Sequence, residues 1–179
     1  MNSIFLALEQ LRTQLSQALP ATPGIRHFDV SFPLNDAFDP LAWLGAQQCY
    51  PQFYWQQRNG DEELAALGAV IIFSSLALAT QFLREQNAPG DTRICGLNAF
   101  NPEQGSLFLP RLFWRRTAGT ATLRLQLWSD YSLQEDAHAA RDFLQQLQPA
   151  RPIRPLAVQV EHENHQPRSE ERRVGKECR

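Results

Sequence analysis

A chain of 179 residues with a formal charge of -2 is long enough to bury one proper core, and its scattered arginines lack the basic footprint of a nucleic-acid binder. Three cysteines, at positions 49, 95 and 178, make neither a disulfide framework nor a metal-spacing motif, so a reducing cytoplasm is the expected setting. The run Ile4 to Leu8 is cut by Glu9 and has no basic segment before it, which excludes a signal peptide, and no apolar run approaches a membrane span.

Taken in order, Ser3 to Leu19 places Ile4, Leu8, Leu11, Leu15 and Leu19 at three- and four-residue spacing, which predicts an amphipathic helix stopped by Pro20. Its polar face is not rich in lysine and arginine as a membrane-adsorbing helix requires, so it should pack on the protein's own sheet. Ile25 to Phe32 alternates Phe28, Val30 and Phe32 with Asp29 and Ser31, a strand with one wet face. Asp39 before Pro40 is an N-cap with proline at the first helical position, and opens a short helix to about Gln48.

Tyr50 to Ala69 reads as a strand, a tight turn and a second strand. Phe53, Tyr54 and Trp55 favour a pleated backbone, Arg58-Asn59-Gly60-Asp61 offers a two-residue turn with Gly60 at positive φ, and Leu64 to Phe73 is apolar on both faces. Such a strand needs cover on each side, and the helices starting near Ser3, Ser75 and Ser132 are expected to supply one side, leaving the other to polypeptide beyond this chain. Ser74 or Ser75 caps a helix to about Gln86. Strands are expected over 93–100, 107–116 and 120–128, an antiparallel meander. In the last of these the leucines 123, 125 and 127 should face the core while Arg124 and Gln126 face water. Ser132 and Glu135 have capping-box spacing before a helix through Leu147, Pro149 to Pro155 reads as a linker or edge connection, and one more short strand is expected at Leu156 to Val160. The fold class is α+β (α/β mixed), a largely antiparallel sheet with helices packed on it.

Candidate chemistry is thin. His27, His138, His162 and His165 have no metal spacing, and Cys49 and Cys95 sit among aromatic or strand residues, where a thiol is structural. Asp61, Glu62 and Glu63 could meet a hard cation, but alternate strand residues diverge and a solvated turn is the simpler reading. Arg111, Arg115 and Arg116 could meet carboxylates, although the last two point opposite ways. Trp43, Tyr54, Trp55, Phe113, Trp114 and Trp128 should fill a sheet core. No phosphate loop or hydrolase motif is present. By residues alone no catalytic, cofactor-binding or metal residue is assigned.

The segments PQFYWQQRNGDEE with LGA after it, GLNAFNP at Gly96 to Pro102 and LPRLFWRR at Leu109 to Arg116 resemble chorismate-using enzymes. With PATPGI at Pro20 and FPLNDAFDPLAWL at Phe32, they most closely resemble the isochorismate synthases of bacterial menaquinone synthesis, up to about His165. The resemblance implies the N-terminal part of that fold over 1–148, with 149–167 leading into a chorismate-binding region that this chain lacks. It also implies a magnesium-dependent isomerase of chorismate whose lysine and glutamates lie in that further region, so this part alone should be inactive. Menaquinone and siderophore pathways are not separated by it. Anthranilate or aminodeoxychorismate synthase components, and a freestanding interaction module, are the alternatives. The final segment 168–179, RSEERRVGKECR, holds Lys176, the chain's one lysine, and resembles a translated sequencing adapter; it is set aside as a non-native tail.

Overall fold

The computed structural model describes residues 3–34, 38–101 and 103–149. The linker and tail beyond Pro149, the strand expected at Leu156 to Val160, and His162, His165 and Cys178 lie outside the described residues.

Among the described residues ten elements follow one another: α1 (Ser3–Leu15), β1 (Gly24–Pro33), α2 (Pro40–Gly45), β2 (Gln52–Gln56), β3 (Glu62–Phe73), α3 (Leu76–Glu85), β4 (Cys95–Asn98), β5 (Gly105–Thr117), β6 (Thr120–Ser129) and α4 (Leu133–Gln146). The strands form one antiparallel sheet in the order β1-β6-β5-β3-β2, with β4 beside the first residues of β5. This is the α+β architecture that the pattern implies.

The caps form where the sequence places them. Asp39 accepts from the backbone of Leu41 and Ala42 at 2.9 and 3.1 Å, Ser75 accepts from Leu78, and Ser132 accepts from Glu135. Boundaries shift for local reasons. The first helix stops at Leu15 rather than Leu19, because the Ser16 hydroxyl donates to the Thr13 carbonyl at 2.6 Å and closes the last turn before Pro20 is reached. The strand expected from Arg93 to Phe100 shrinks to Cys95–Asn98. Gly96 permits the close approach of β4 to β5, since a Cβ there would sit 2.1 Å from the Ser106 carbonyl oxygen. The hairpin turn is also longer than two residues: Gln57 donates to the Glu62 carbonyl at 2.8 Å, and Arg58 to Asp61 loop out with Gly60 at φ 78°.

The ladders align residues straight across five strands. One line runs Val30, Leu123, Trp114, Ala65 and Tyr54; the next, pointing to the other side, runs Asp29, Arg124, Phe113, Ala66 and Phe53. The first side carries the main core, in which Leu8, Leu11 and Leu15 of α1 and Ala137, Ala140 and Leu144 of α4 cover Leu123, Leu125, Leu127, Leu112 and Trp114. α3 packs Phe82 on Phe73, Leu107 and Leu109 in a separate cluster, and the Phe82 ring meets Trp128 edge-on at 5.3 Å.

α3 packs on Leu107 and Leu109, which alternate along β5 with the Phe108 of the Leu64 and Ala66 cluster, so it does not lie over that cluster. Leu64 and Ala66 are buried instead among Phe53, Cys95, Phe108 and Phe113. One expectation changes: Arg124 and Gln126 do not face water. They are 5% and 2% exposed, because ion pairs and a backbone acceptor satisfy them in place of solvent.

Candidate functional site

The buried Arg124 stands in the middle of the second line of residues. β1 presents Asp29 directly opposite, and the guanidinium takes both carboxylate oxygens at 2.6 Å. The segment between α3 and β4 then folds over this face and adds Asp91 at 2.5 Å, while the guanidinium carbon stands 5.6 Å above the Phe113 ring. Burial opposes the charge on Arg124, but the hydrogen bonds to Asp29 and Asp91 outweigh it and raise the group above its ordinary value. The same hydrogen bond, against a smaller desolvation cost, lowers Asp91.

A second buried pair joins sheet to helix. Arg111 grips both oxygens of Asp136 in α4 at 2.6 and 2.8 Å and also donates to the Gln126 carbonyl, while the Trp128 amide donates to Asp136. Gln126 in turn donates to the Pro110 carbonyl at 2.8 Å. All of these polar groups lie where β5 and β6 part company after the Leu112–Leu125 pair, so the network satisfies backbone atoms that the ladder no longer serves.

At the hairpin end the acidic triplet separates as strand alternation demands. Glu62 receives Arg115 Nε at 2.7 Å, and Glu63 lies against Arg116 Nε at 3.0 Å on the opposite side, out of line for a hydrogen bond. The Tyr54 hydroxyl donates to Glu63 at 2.7 Å, and burial, followed by that hydrogen bond and the nearby charge, pushes the phenol up to about 12. The reading of this triplet as a solvated turn is thus corrected for Glu63, which is buried, because two strand residues supply its charge and hydrogen-bond partners. Only Asp61 remains on the exposed turn.

Each candidate side chain now has a location. Arg111, Arg115 and Arg116 are apart on the sheet and each holds a protein carboxylate, so nothing unites them into a carboxylate-binding fork. His27 is half-buried, with Nε2 4.0 Å from Asp29, and His138 is exposed beside Arg141. Cys49 and Cys95 are free, and burial raises both thiols, Cys95 to about 12, which leaves them poor nucleophiles. Trp43, Trp114 and Phe113 fill the core as expected and Tyr54 and Trp128 pack partly into it; Trp55 does not, being 43% exposed. It sits on the edge strand and, with Phe53, Glu62, Leu64, Arg93 and Ile94, lines a shallow groove of about 340 Å³. A second groove of about 540 Å³, lined by Ile72, Phe73, Leu78 and Phe82, runs beside α3.

Among the described residues no group of three His, Cys, Asp or Glu converges on one point as a metal would require. The partners Asp29, Asp91 and Asp136 escaped sequence reasoning. The signal that could have found two of them is an arginine placed mid-strand between core leucines, which demands a carboxylate from a neighbouring element.

An antiparallel sheet with helices packed on it, its buried arginines held by the protein's own carboxylates, defines a mixed α+β fold. The comparisons agree. Isochorismate synthase MenF of Escherichia coli (strain K12) is 56% identical over 167 residues, 93% of this chain but 39% of that protein. Isochorismate synthase MenF of Haemophilus influenzae is 40% identical over 90 residues, half of this chain and 20% of that protein. The solved structure of MenF, the menaquinone-specific isochorismate synthase from Escherichia coli, superposes with a TM-score of 0.83 at 57% identity, covering 86% of this chain and 36% of that one. No family model matches. The chain is homologous to the N-terminal part of isochorismate synthase, and it spans about two fifths of the length of its Escherichia coli relative.

Proposed function

We propose that this chain forms the N-terminal structural part of a magnesium-dependent isochorismate synthase that converts chorismate to isochorismate in the cytoplasm for menaquinone synthesis. The observation that carries the reading is 56% identity over almost all of this chain against little more than a third of the relative. The Escherichia coli relative is the menaquinone-specific isochorismate synthase, and this favours that pathway over a siderophore.

Hydroxyl transfer on chorismate needs a base for the incoming water and an acid for the leaving hydroxyl. The buried Glu63 and the partly exposed Asp29, Glu62, Asp91 and Asp136 are each engaged by a guanidinium group, which argues against giving them either role or a magnesium ion. We therefore place the chemistry in the further polypeptide that the relatives carry. What this part contributes is a rigid sheet for that region to pack against. The exposed apolar side chains Ile72, Leu97 and Phe100 are the surfaces we assign to that packing.

The test is turnover. Purified chain with chorismate and magnesium should form no isochorismate above the uncatalysed background, whereas a version extended by the relative's remaining length should form it. Turnover by the chain alone would overturn the reading.

A further inference from the structure

The turn between β2 and β3 carries a reactive pair. Arg58 to Asp61 loop out there, and within them Asn59 precedes Gly60. An asparagine side chain brings its amide carbon within reach of the next residue's backbone nitrogen, and glycine is the neighbour with no Cβ to obstruct the approach. Gly60 stands at φ 78°, and among the described residues a Cβ built there would meet no atom within 4 Å. Asn59 is itself exposed, so water and hydroxide reach it.

Asp61 holds both ends of the Asn59 amide. Its backbone N–H donates to Asn59 Oδ1 at 3.2 Å, and its carboxylate accepts from Nδ2 at 2.5 Å. The first of these bonds closes a ring of atoms that includes the Gly60 nitrogen, as when an asparagine turns back onto the backbone two residues ahead. It also aims a fixed donor at the oxygen that gains negative charge when a nucleophile adds to the amide carbon. The Gly60 amide donates to the Gln57 carbonyl at 2.8 Å within the same turn, a bond that a brief local opening of the loop releases.

We propose that Asn59-Gly60 is a site of spontaneous covalent modification, at which the Asn59 amide converts through a cyclic imide to aspartate and isoaspartate. The Gly60 nitrogen gives its proton to solvent base and bonds to Cγ, while the carbonyl electron pair moves onto Oδ1. The tetrahedral centre then collapses: Oδ1 regains its double bond, the Cγ–Nδ2 bond breaks, and Nδ2 takes a proton from water and leaves as ammonia. Water then opens the ring, and nothing is oxidised or reduced. Attack at Cγ gives aspartate, and attack at the Asn59 main-chain carbonyl carbon gives isoaspartate, whose main chain runs through the former side chain. Aspartate sets a carboxylate oxygen against that of Asp61 where a hydrogen bond stood, and isoaspartate lengthens the turn itself. Arg116, whose Nη2 reaches the Gly60 carbonyl at 3.5 Å, is a cation placed to meet the new charge.

The experiment incubates the full 179-residue chain under warm, mildly alkaline conditions and reads isoaspartate peptide by peptide, through methyl transfer from S-adenosylmethionine by an isoaspartyl methyltransferase. Asn87 and Asn98 serve as references within the chain, since both are exposed and precede alanine. Isoaspartate at Asn59 should form about tenfold faster or more than at either, and faster still as pH rises, because the Gly60 nitrogen must lose its proton. Gly60→Ala should slow it by about tenfold or more. Alanine is strained at this positive φ, so the ranking of the three asparagines in the unmodified chain decides the matter if that variant unfolds. A rate at Asn59 no greater than at Asn87 and Asn98, a rate indifferent to pH, or an unchanged rate in a folded Gly60→Ala variant would each overturn the proposal.

Discussion

Two neighbouring lines of residues cross the same five strands and are sealed by different physics. Val30, Leu123, Trp114, Ala65 and Tyr54 point to the side that α1 and α4 cover, and are held by apolar burial. Asp29, Arg124, Phe113, Ala66 and Phe53 point to the other side, where the closing element over the middle strands is a salt-bridged loop carrying Asp91. Apolar burial is non-directional and tolerant; a buried guanidinium holds only while each partner stays in place. The first face is therefore a core in the ordinary sense, and the second is a lid tied down by charge.

The comparison breaks most severely on the first face. Leu125→Ala, at a fully buried position, should cost about 4 kcal/mol in urea unfolding through lost burial and the cavity left behind. Where the faces meet at α4, Arg111→Met should cost about 3 kcal/mol, since it strands the half-sealed Asp136 carboxylate, and adding Asp136→Leu should recover much of the loss. Gly96→Ala should cost about 2 kcal/mol, because the new Cβ meets the Ser106 carbonyl at a positive φ of 137° and pushes β4 from the second face. The smallest effect belongs to Asp91→Asn, below about 1 kcal/mol near neutral pH, because this carboxylate is half exposed. Its pH signature is distinct. Asp91 is lowered in the folded protein, so its contribution is present above the ordinary aspartate value of about 3.9 and is lost as pH falls through the lower folded value. Stability measured against pH should be flatter below about 4 in the variant.

Element types and most caps were legible, because each rests on local chemistry: an Asp or Ser before a helix, a leucine every second residue, a glycine in the turn. The apolar face of β6 was legible for the same reason. Its other face was misread because alternation reports which residues differ, not which are wet. Arg124 and Gln126 are as buried as the leucines, and their partners are distant in sequence: Asp29 is 95 residues away, and Pro110 is 16. The arginines at 111, 115 and 116 looked available to carboxylates because they are; the carboxylates are the protein's own.

The claim that charge pairing closes the second face is tested most directly by a double-mutant cycle on Arg124 and Asp29, using Arg124→Met, Asp29→Leu and the pair, read by equilibrium unfolding in urea. The account predicts a coupling energy clearly above about 0.5 kcal/mol, with the double variant more stable than the sum of the single losses allows. Strictly additive losses would mean that the two residues do not hold one another, and would contradict the account.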